Sequence, residues 1–203
     1  MKKLFTALLM LGTCFSFSAN AISIDLIANQ SAVNIGNNIE VQVRISGLND
    51  ASAPSLGDYD VNFNYESSLF NFNSIVWGDA ILGNQLDLSN FGSLQEITSG
   101  WSWLRISELS VDSAMDLELL QKDEFTLFTV LLNAAAIGSG TFSLTTNAVG
   151  DAYGNDVLID TINSSAVDIR GVSVPEPSSL LLLFPGLLAI VVLRNKLLHS
   201  SKY

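Results

Sequence analysis

Asn38-Ile39-Glu40-Val41-Gln42-Val43-Arg44-Ile45-Ser46 is the stretch whose reading decides the fold. Ile39, Val41, Val43 and Ile45 fall on one side of an extended chain, and Glu40, Gln42 and Arg44 on the other. A strand sends successive side chains to opposite faces, so this beat predicts a half-buried strand with a polar outer surface. Gly47-Leu48-Asn49-Asp50 ends it. After a predicted loop containing Pro54 and Gly57 the beat returns, with Tyr59, Val61, Phe63 and Tyr65 set against Asp60, Asn62 and Asn64. Phe70 and Phe72 follow, separated by Asn71. Aromatic and β-branched residues at period two suit a sheet face lying over a core.

Further along, strands are predicted over residues 125–133, 141–145 and 166–172, with Gly138-Ser139-Gly140 as the turn between the first two. Residues 110–122 alone come near helical spacing, through Val111, Met115, Leu119 and Leu120, and read as a short helix or a long loop. Strands divided by turn residues predict an all-β sandwich.

Both ends of the chain differ from this body. Met1-Lys2-Lys3, the apolar run from Leu4 to Phe17, and Ala19-Asn20-Ala21 have the order of an export signal with its small-residue cleavage site. Residues 1–21 are therefore expected to be removed, leaving Ile22 as the first residue. At the other end stand Val174-Pro175-Glu176-Pro177-Ser178-Ser179, an uncharged apolar run, and the basic residues Arg194, Lys196 and Lys202. Each proline fixes φ and removes a donor, which holds Glu176 extended and open to an enzyme. The run 179–193 is the expected membrane span, short for a bilayer of about 30 Å, and the cations behind it favour a cytoplasmic end. Pro185-Gly186 interrupts its helical pattern.

This C-terminal order resembles the PEP-CTERM sorting signal of Gram-negative bacteria. The resemblance covers about thirty of the 203 residues. It implies that an exosortase in the inner membrane reads Pro175-Glu176-Pro177 and removes residues downstream, with Arg194, Lys196 and Lys202 as the stop. The inner membrane would hold the precursor transiently. The product would pass to the cell surface or extracellular matrix, in association with exopolysaccharide or biofilm.

Between the signals, residues 22–172 have the length of one domain and 173–203 form the sorting segment. Gly57-Asp58-Tyr59-Asp60-Val61-Asn62-Phe63-Asn64-Tyr65, Phe125-Thr126-Leu127-Phe128-Thr129-Val130 and Val149-Gly150-Asp151-Ala152-Tyr153-Gly154-Asn155 together resemble a cohesin-like domain, a jelly-roll β-sandwich akin to carbohydrate-binding modules. The resemblance implies either a dockerin-like protein partner or a polysaccharide.

Charge and inventory narrow the chemistry. Across residues 22–174, 19 acidic residues stand against Arg44, Arg105, Lys122 and Arg170, a net charge of −15 that repels nucleic acid. The single Cys14 and single His199 lie in the two end segments, so the body has no thiol, no imidazole and no disulfide option. It is read as non-enzymatic, with no cofactor. Carboxylate pairs such as Asp58/Asp60, Asp112/Asp116 and Asp123/Glu124 would be the means of glycoside hydrolysis, the weaker alternative, and are expected to be surface charge.

Two stretches are candidate binding sites. Asp151-Ala152-Tyr153-Gly154-Asn155-Asp156 offers Asp151, Asn155 and Asp156 as oxygen ligands for calcium. The preferred reading is a turn in which Gly154 and Asn155 take positive φ. Trp101-Ser102-Trp103, following Gly100, puts two indoles on one strand face, with Trp77 elsewhere. They are expected to pack inside the sandwich. Turned outward, Trp101, Trp103 and Trp77 would grip sugar rings and make the chain a carbohydrate-binding module.

Overall fold

In the computed structural model, which describes residues 21–48 and 54–171, the alternation read from the sequence becomes two stacked sheets. The leader, the sorting motif Pro175-Glu176-Pro177, the run 179–193 and the cations Arg194, Lys196 and Lys202 lie outside the described residues. The strands are β1 (Ser23–Ala28), β2 (Ala32–Asn34), β3 (Asn38–Ser46), β4 (Leu56–Asn64), β5 (Phe70–Trp77), β6 (Leu94–Ser99), β7 (Trp103–Leu109), β8 (Glu124–Ala134), β9 (Gly138–Asp151), β10 (Thr161–Asn163) and β11 (Ser165–Arg170). One sheet runs β10-β1-β3-β8-β5, the other β2-β11-β9-β4-β7-β6. Consecutive strands cross from one sheet to the other, except for the β6–β7 hairpin. Pairing is antiparallel apart from β1 with β10 and β2 with β11.

Ile39, Val41, Val43 and Ile45 on β3 are fully buried, as their spacing requires. Across the seam they meet the inward residues of β4, among which Tyr59, Val61 and Phe63 are buried. Aromatic rings hold the middle: Phe63 stacks on Phe142 at 5.8 Å, Phe70 tilts onto Phe142 at 4.8 Å, and Phe128 lies 5.9 Å from Tyr59. Rings in such offset and edge contacts add directional energy to the area they bury.

Bulges keep the apolar residues inside where simple alternation would fail. On β5, Phe72 pairs with Leu132 and Ser74 with Leu131, so Asn73 is an extra residue. Phe70 and Phe72 before it, and Ile75 and Trp77 after it, therefore all turn toward the core although their parity differs. A second shift lies opposite Val43 and Arg44, where Leu127 of β8 is the extra residue.

Three predicted features move. Gly138-Ser139-Gly140 is not the turn; residues 135–137 make it, and the glycines open β9. The physical reason is close approach, since a Cβ on Gly140 would overlap the ring of Phe70 and one on Gly138 would lie 2.9 Å from Leu69. Gly57 likewise belongs to β4, where its missing Cβ lets the carbonyl of Asp151 come close.

The stretch 110–122 does contain a helix, α1 (Ala114–Leu120), but the predicted apolar stripe is not its buried face. Val111, Met115, Leu119 and Leu120 are all exposed. The helix is held instead by buried Leu117 and by Gln121, whose side chain bonds both backbone groups of Leu56. Ser113 caps the first turn by accepting from the Asp116 N–H and donating to its carboxylate at 2.6 Å.

Phe128→Ala should lower the unfolding free energy by about 3–5 kcal/mol in urea titration, because it opens a cavity between Tyr59 and Trp77. Val76→Ala, at a 53% exposed position on the same strand as Trp77, should change it by less than about 0.5 kcal/mol.

Candidate functional site

The inward parity of Leu104 and Ile106 on β7, both fully buried, sends Trp103, Arg105, Ser107 and Leu109 to the opposite face. The adjoining strands add their own outward residues in register. Arg105 lies between Thr98 of β6 and Asn62 of β4, Asn62 opposes Thr145 of β9, and Asn64 opposes Ser143. Asn147 is the extra residue of a bulge between the pairs Asp60–Ala148 and Val61–Thr146. It joins the same face.

These side chains form one hydrogen-bonded ladder. Arg105 Nε donates to Asp60 Oδ1 at 2.9 Å and its Nη2 to Oδ2 at 2.5 Å, a two-pronged pair. Asn147 Nδ2 donates to Asp60 Oδ1 at 3.0 Å and accepts from Asn62 Nδ2 at 3.0 Å. Asn64 Nδ2 reaches Thr145 Oγ1 at 3.0 Å. Beside Trp103 this leaves a shallow groove of about 540 Å³ lined by Asn62, Asn64, Trp103, Arg105 and Asn147. A second depression of about 450 Å³ lies on the other side of Trp103, toward Glu66 and Ser143.

The tryptophans therefore face outward, against the expectation that they pack inside. Trp103 is 38% exposed and Trp101, at the tip of the β6–β7 turn, is 88% exposed. Glycine explains how the first is held flat: a Cβ on Gly100 would overlap the Trp103 indole, and the Gly100 N–H donates to the Trp103 carbonyl at 2.9 Å. Trp101 precedes β7 and stands in a bend, so the two are neighbours across a turn rather than along a strand. Trp77 is not part of this group. It sits on the other sheet, packed edge-on against Phe128 at 6.3 Å.

Beneath the β6–β7 edge lies a residue the sequence reading missed. Glu108 is 1% exposed, and its carboxylate accepts from Tyr59 Oη at 2.9 Å, Asn84 Nδ2 and Ser93 Oγ at 2.5 Å each, and Gln95 Nε2 at 3.0 Å. Four donors from β4, the loop before β6 and β6 itself meet on one buried charge. That clasp ties the edge strand to the sheet. Burial and then the nearby Glu108 charge push the Tyr59 hydroxyl well above the usual tyrosine range. A lone Glu at an inward strand position, flanked by Ser107 and Leu109, was the available signal.

The stretch 151–156 forms the turn, with one difference. Gly154 has φ +81°, but Asn155 is not among the described residues with positive φ. Asp151 Oδ1 accepts from the N–H groups of Tyr153 and Asn155 at 2.8 Å each, and Oδ2 from Asn155 Nδ2 at 2.9 Å. Burial pushes the Asp151 carboxyl up, yet these bonds outweigh it and hold the group below the usual range. Asp156 is exposed and pairs through its backbone with Gly150. Among the described residues no three His, Cys, Asp or Glu side chains cluster closely enough to hold a metal ion.

Each acidic pair has at least one carboxylate held by a structural partner. Asp60 is held by Arg105, Asp112 accepts from the N–H groups of Leu88 and Ser89, Asp116 serves the α1 cap, and Glu124 pairs with Arg44. The hydrogen bond from Arg105 draws the Asp60 carboxyl below its usual range, whereas burial, then Asp151 and Asp156, raise that of Asp58. Neighbouring carboxylates on one strand face thus titrate in opposite directions.

No protein-family model and no curated protein matches this sequence. Solved structures do match. The second type II cohesin module of the adaptor scaffoldin ScaA of Acetivibrio cellulolyticus aligns with a TM-score of 0.59 at 14% identity, covering 78% of this chain and 96% of that one. A non-cellulosomal cohesin from the archaeon Archaeoglobus fulgidus aligns with a TM-score of 0.52 at 16% identity, over 78% and 95%. A type I cohesin–dockerin complex from Clostridium thermocellum gives 0.55 at 16%, over 73% and 99%. At these identities the likeness defines the fold: the body is a cohesin-like β-sandwich.

Proton linkage gives a test of the ladder. The Asp60 pair should stabilise the fold above the unfolded carboxyl value of about 3.9 and lose that contribution as pH falls through its lower folded value. Asp58 works in the opposite sense, with stability lost as pH rises through its raised value. Carboxyl NMR titration of Arg105→Ala should move Asp60 upward and leave Asp58 raised.

Proposed function

We propose that this chain is a non-enzymatic binding module, exported through residues 1–21 and sorted by an exosortase through residues 173–203 to the surface or matrix of a Gram-negative bacterium. The working surface is the outer face of β6-β7-β4-β9, and its partner is a dockerin-like protein module. One observation carries this reading: the sheet face holding Trp103, Arg105 and the Asn62–Asn147 ladder is broad, flat, solvent-facing and already internally bonded. Such a surface can meet a partner without ordering its own side chains, which lowers the cost of association. A cohesin of similar fold is seen with a dockerin in the Clostridium thermocellum complex. The absence of His and Cys from residues 22–174 supports a module that binds without chemistry.

A second reading has its own support. Trp101 and Trp103 stand outward beside amides and a guanidinium, the combination that stacks on sugar rings and bonds their hydroxyls, and this favours polysaccharide as the ligand. Pull-down of the exported protein on insoluble glucans and on host exopolysaccharide divides the two. If polysaccharide is the ligand, Trp101→Ala and Trp103→Ala should each weaken retention about tenfold or more. Protein docking instead predicts no retention on any glycan and capture of a defined envelope protein that Arg105→Ala releases.

For delivery, intact-mass analysis of surface material should show a C-terminus at or near Pro175-Glu176-Pro177. Surface protein still carrying Lys202 and Tyr203 would refute tail removal. Replacing Glu176 with Ala should leave the precursor in the membrane fraction.

A further inference from the structure

Ile22 is built into the sandwich. Its side chain is 6% exposed, its N–H donates to Asp160 Oδ2 at 3.0 Å, and its carbonyl accepts from the Asp160 N–H at 2.9 Å. One residue holds both backbone groups of another. One step further, β1 and β10 begin their parallel pairing at Ser23 and Thr161. On the other side the Ala21 carbonyl packs on Gly47, whose φ is +86° and where a Cβ would lie only 2.6 Å from that oxygen.

The choice of acceptor is the informative detail. A peptide N–H is satisfied by a carbonyl as well as by a carboxylate, as at Asp112 and Asp151, but a carboxylate there sets its charge against a neutral donor. A charged amine would use that charge fully. The neighbouring acid and base are otherwise engaged: Asp25 accepts from Asn163 Nδ2 at 2.6 Å, and Arg44 pairs with Glu124.

We infer that Ile22 is the N-terminus of the working protein and that its α-ammonium group forms an ion pair with Asp160 which pins β10 to β1. The inference rests on residues 1–21 being an export signal. Hydrolysis of the Ala21–Ile22 peptide bond by a signal peptidase uses one water, leaves a carboxylate on Ala21 and frees the Ile22 amine, which takes up a proton. In the folded edge that bond is packed against Gly47 and held by Asp160, so the cut precedes closure of the edge. Removal of the leader then completes the sheet rather than merely trimming it.

A double-mutant cycle on the chain from Ile22 to Tyr203, kept in detergent, tests the pair. Four proteins are compared in urea: free or acetylated amine, each with Asp160 or Asp160→Asn. Both changes keep a donor and an acceptor in place, so all four retain the backbone contacts. Each single change should loosen the unfolding equilibrium about threefold, and the two together no more than either alone. Hydrogen exchange at the Asp160 N–H, which donates to the Ile22 carbonyl, should quicken in parallel. Additive effects, with exchange there unchanged, would overturn the ion pair. N-terminal sequencing of the exported protein gives the independent arm: a start at Ile22 supports the inference, a start at another processed residue overturns it while leaving export standing, and a start at Met1 overturns both.

Discussion

Face-to-face contact of two apolar sheet faces is the constraint on which everything else here depends. With its one cysteine at position 14, outside residues 22–174, the body cannot be stapled, and a domain of this length must bury enough surface to fold unaided. The seam of Ile39, Val41, Val43 and Ile45 against the inward residues of β4 meets that need. Each fully buried aliphatic or aromatic side chain contributes about 1.5–3 kcal/mol relative to exposure. The outer faces are then free to be polar, and the −15 charge of residues 22–174 can be spread over them.

The outer face of β6-β7-β4-β9 is a by-product of the same packing. Because Leu104 and Ile106 fill the core, Trp103 and Arg105 have no choice but to face water. Because β4 buries Val61 and Phe63, Asn62 and Asn64 line up beside them. Asn147 reaches the ladder only through a bulge in β9, which re-aims one side chain without disturbing the core residues on either side.

Rigidity at the edge comes from burying a charge. Glu108 gathers Tyr59, Asn84, Ser93 and Gln95, so the loop before β6, the edge strand and the central strand β4 share one anchor. A buried carboxylate would be destabilising alone, and satisfaction by four donors is what makes it tolerable. Without that clasp β6, exposed along its whole length, would rest on its pairing with β7 alone. The turn carrying Trp101 would then have no fixed base.

The β3 and β4 alternations were legible because a strand's period of two is local, and buried residues follow it along β3 and from Gly57 to Phe63 of β4. The outward turn of the tryptophans was also within reach, since Leu104 and Ile106 share a parity that Trp103 and Arg105 do not. By itself the sequence determined an all-β body, the inward residues of its regular strands, and the lack of imidazole and thiol chemistry in that body. Only the tertiary structure decided where parity slips at Asn73, Leu127 and Asn147, why Gly138 and Gly140 lie in a strand, which face of α1 is buried, and which donors meet Glu108. Those depend on partners distant along the chain, as Asp160 is 138 residues from Ile22, and local periodicity carries no information about what the chain will fold back against.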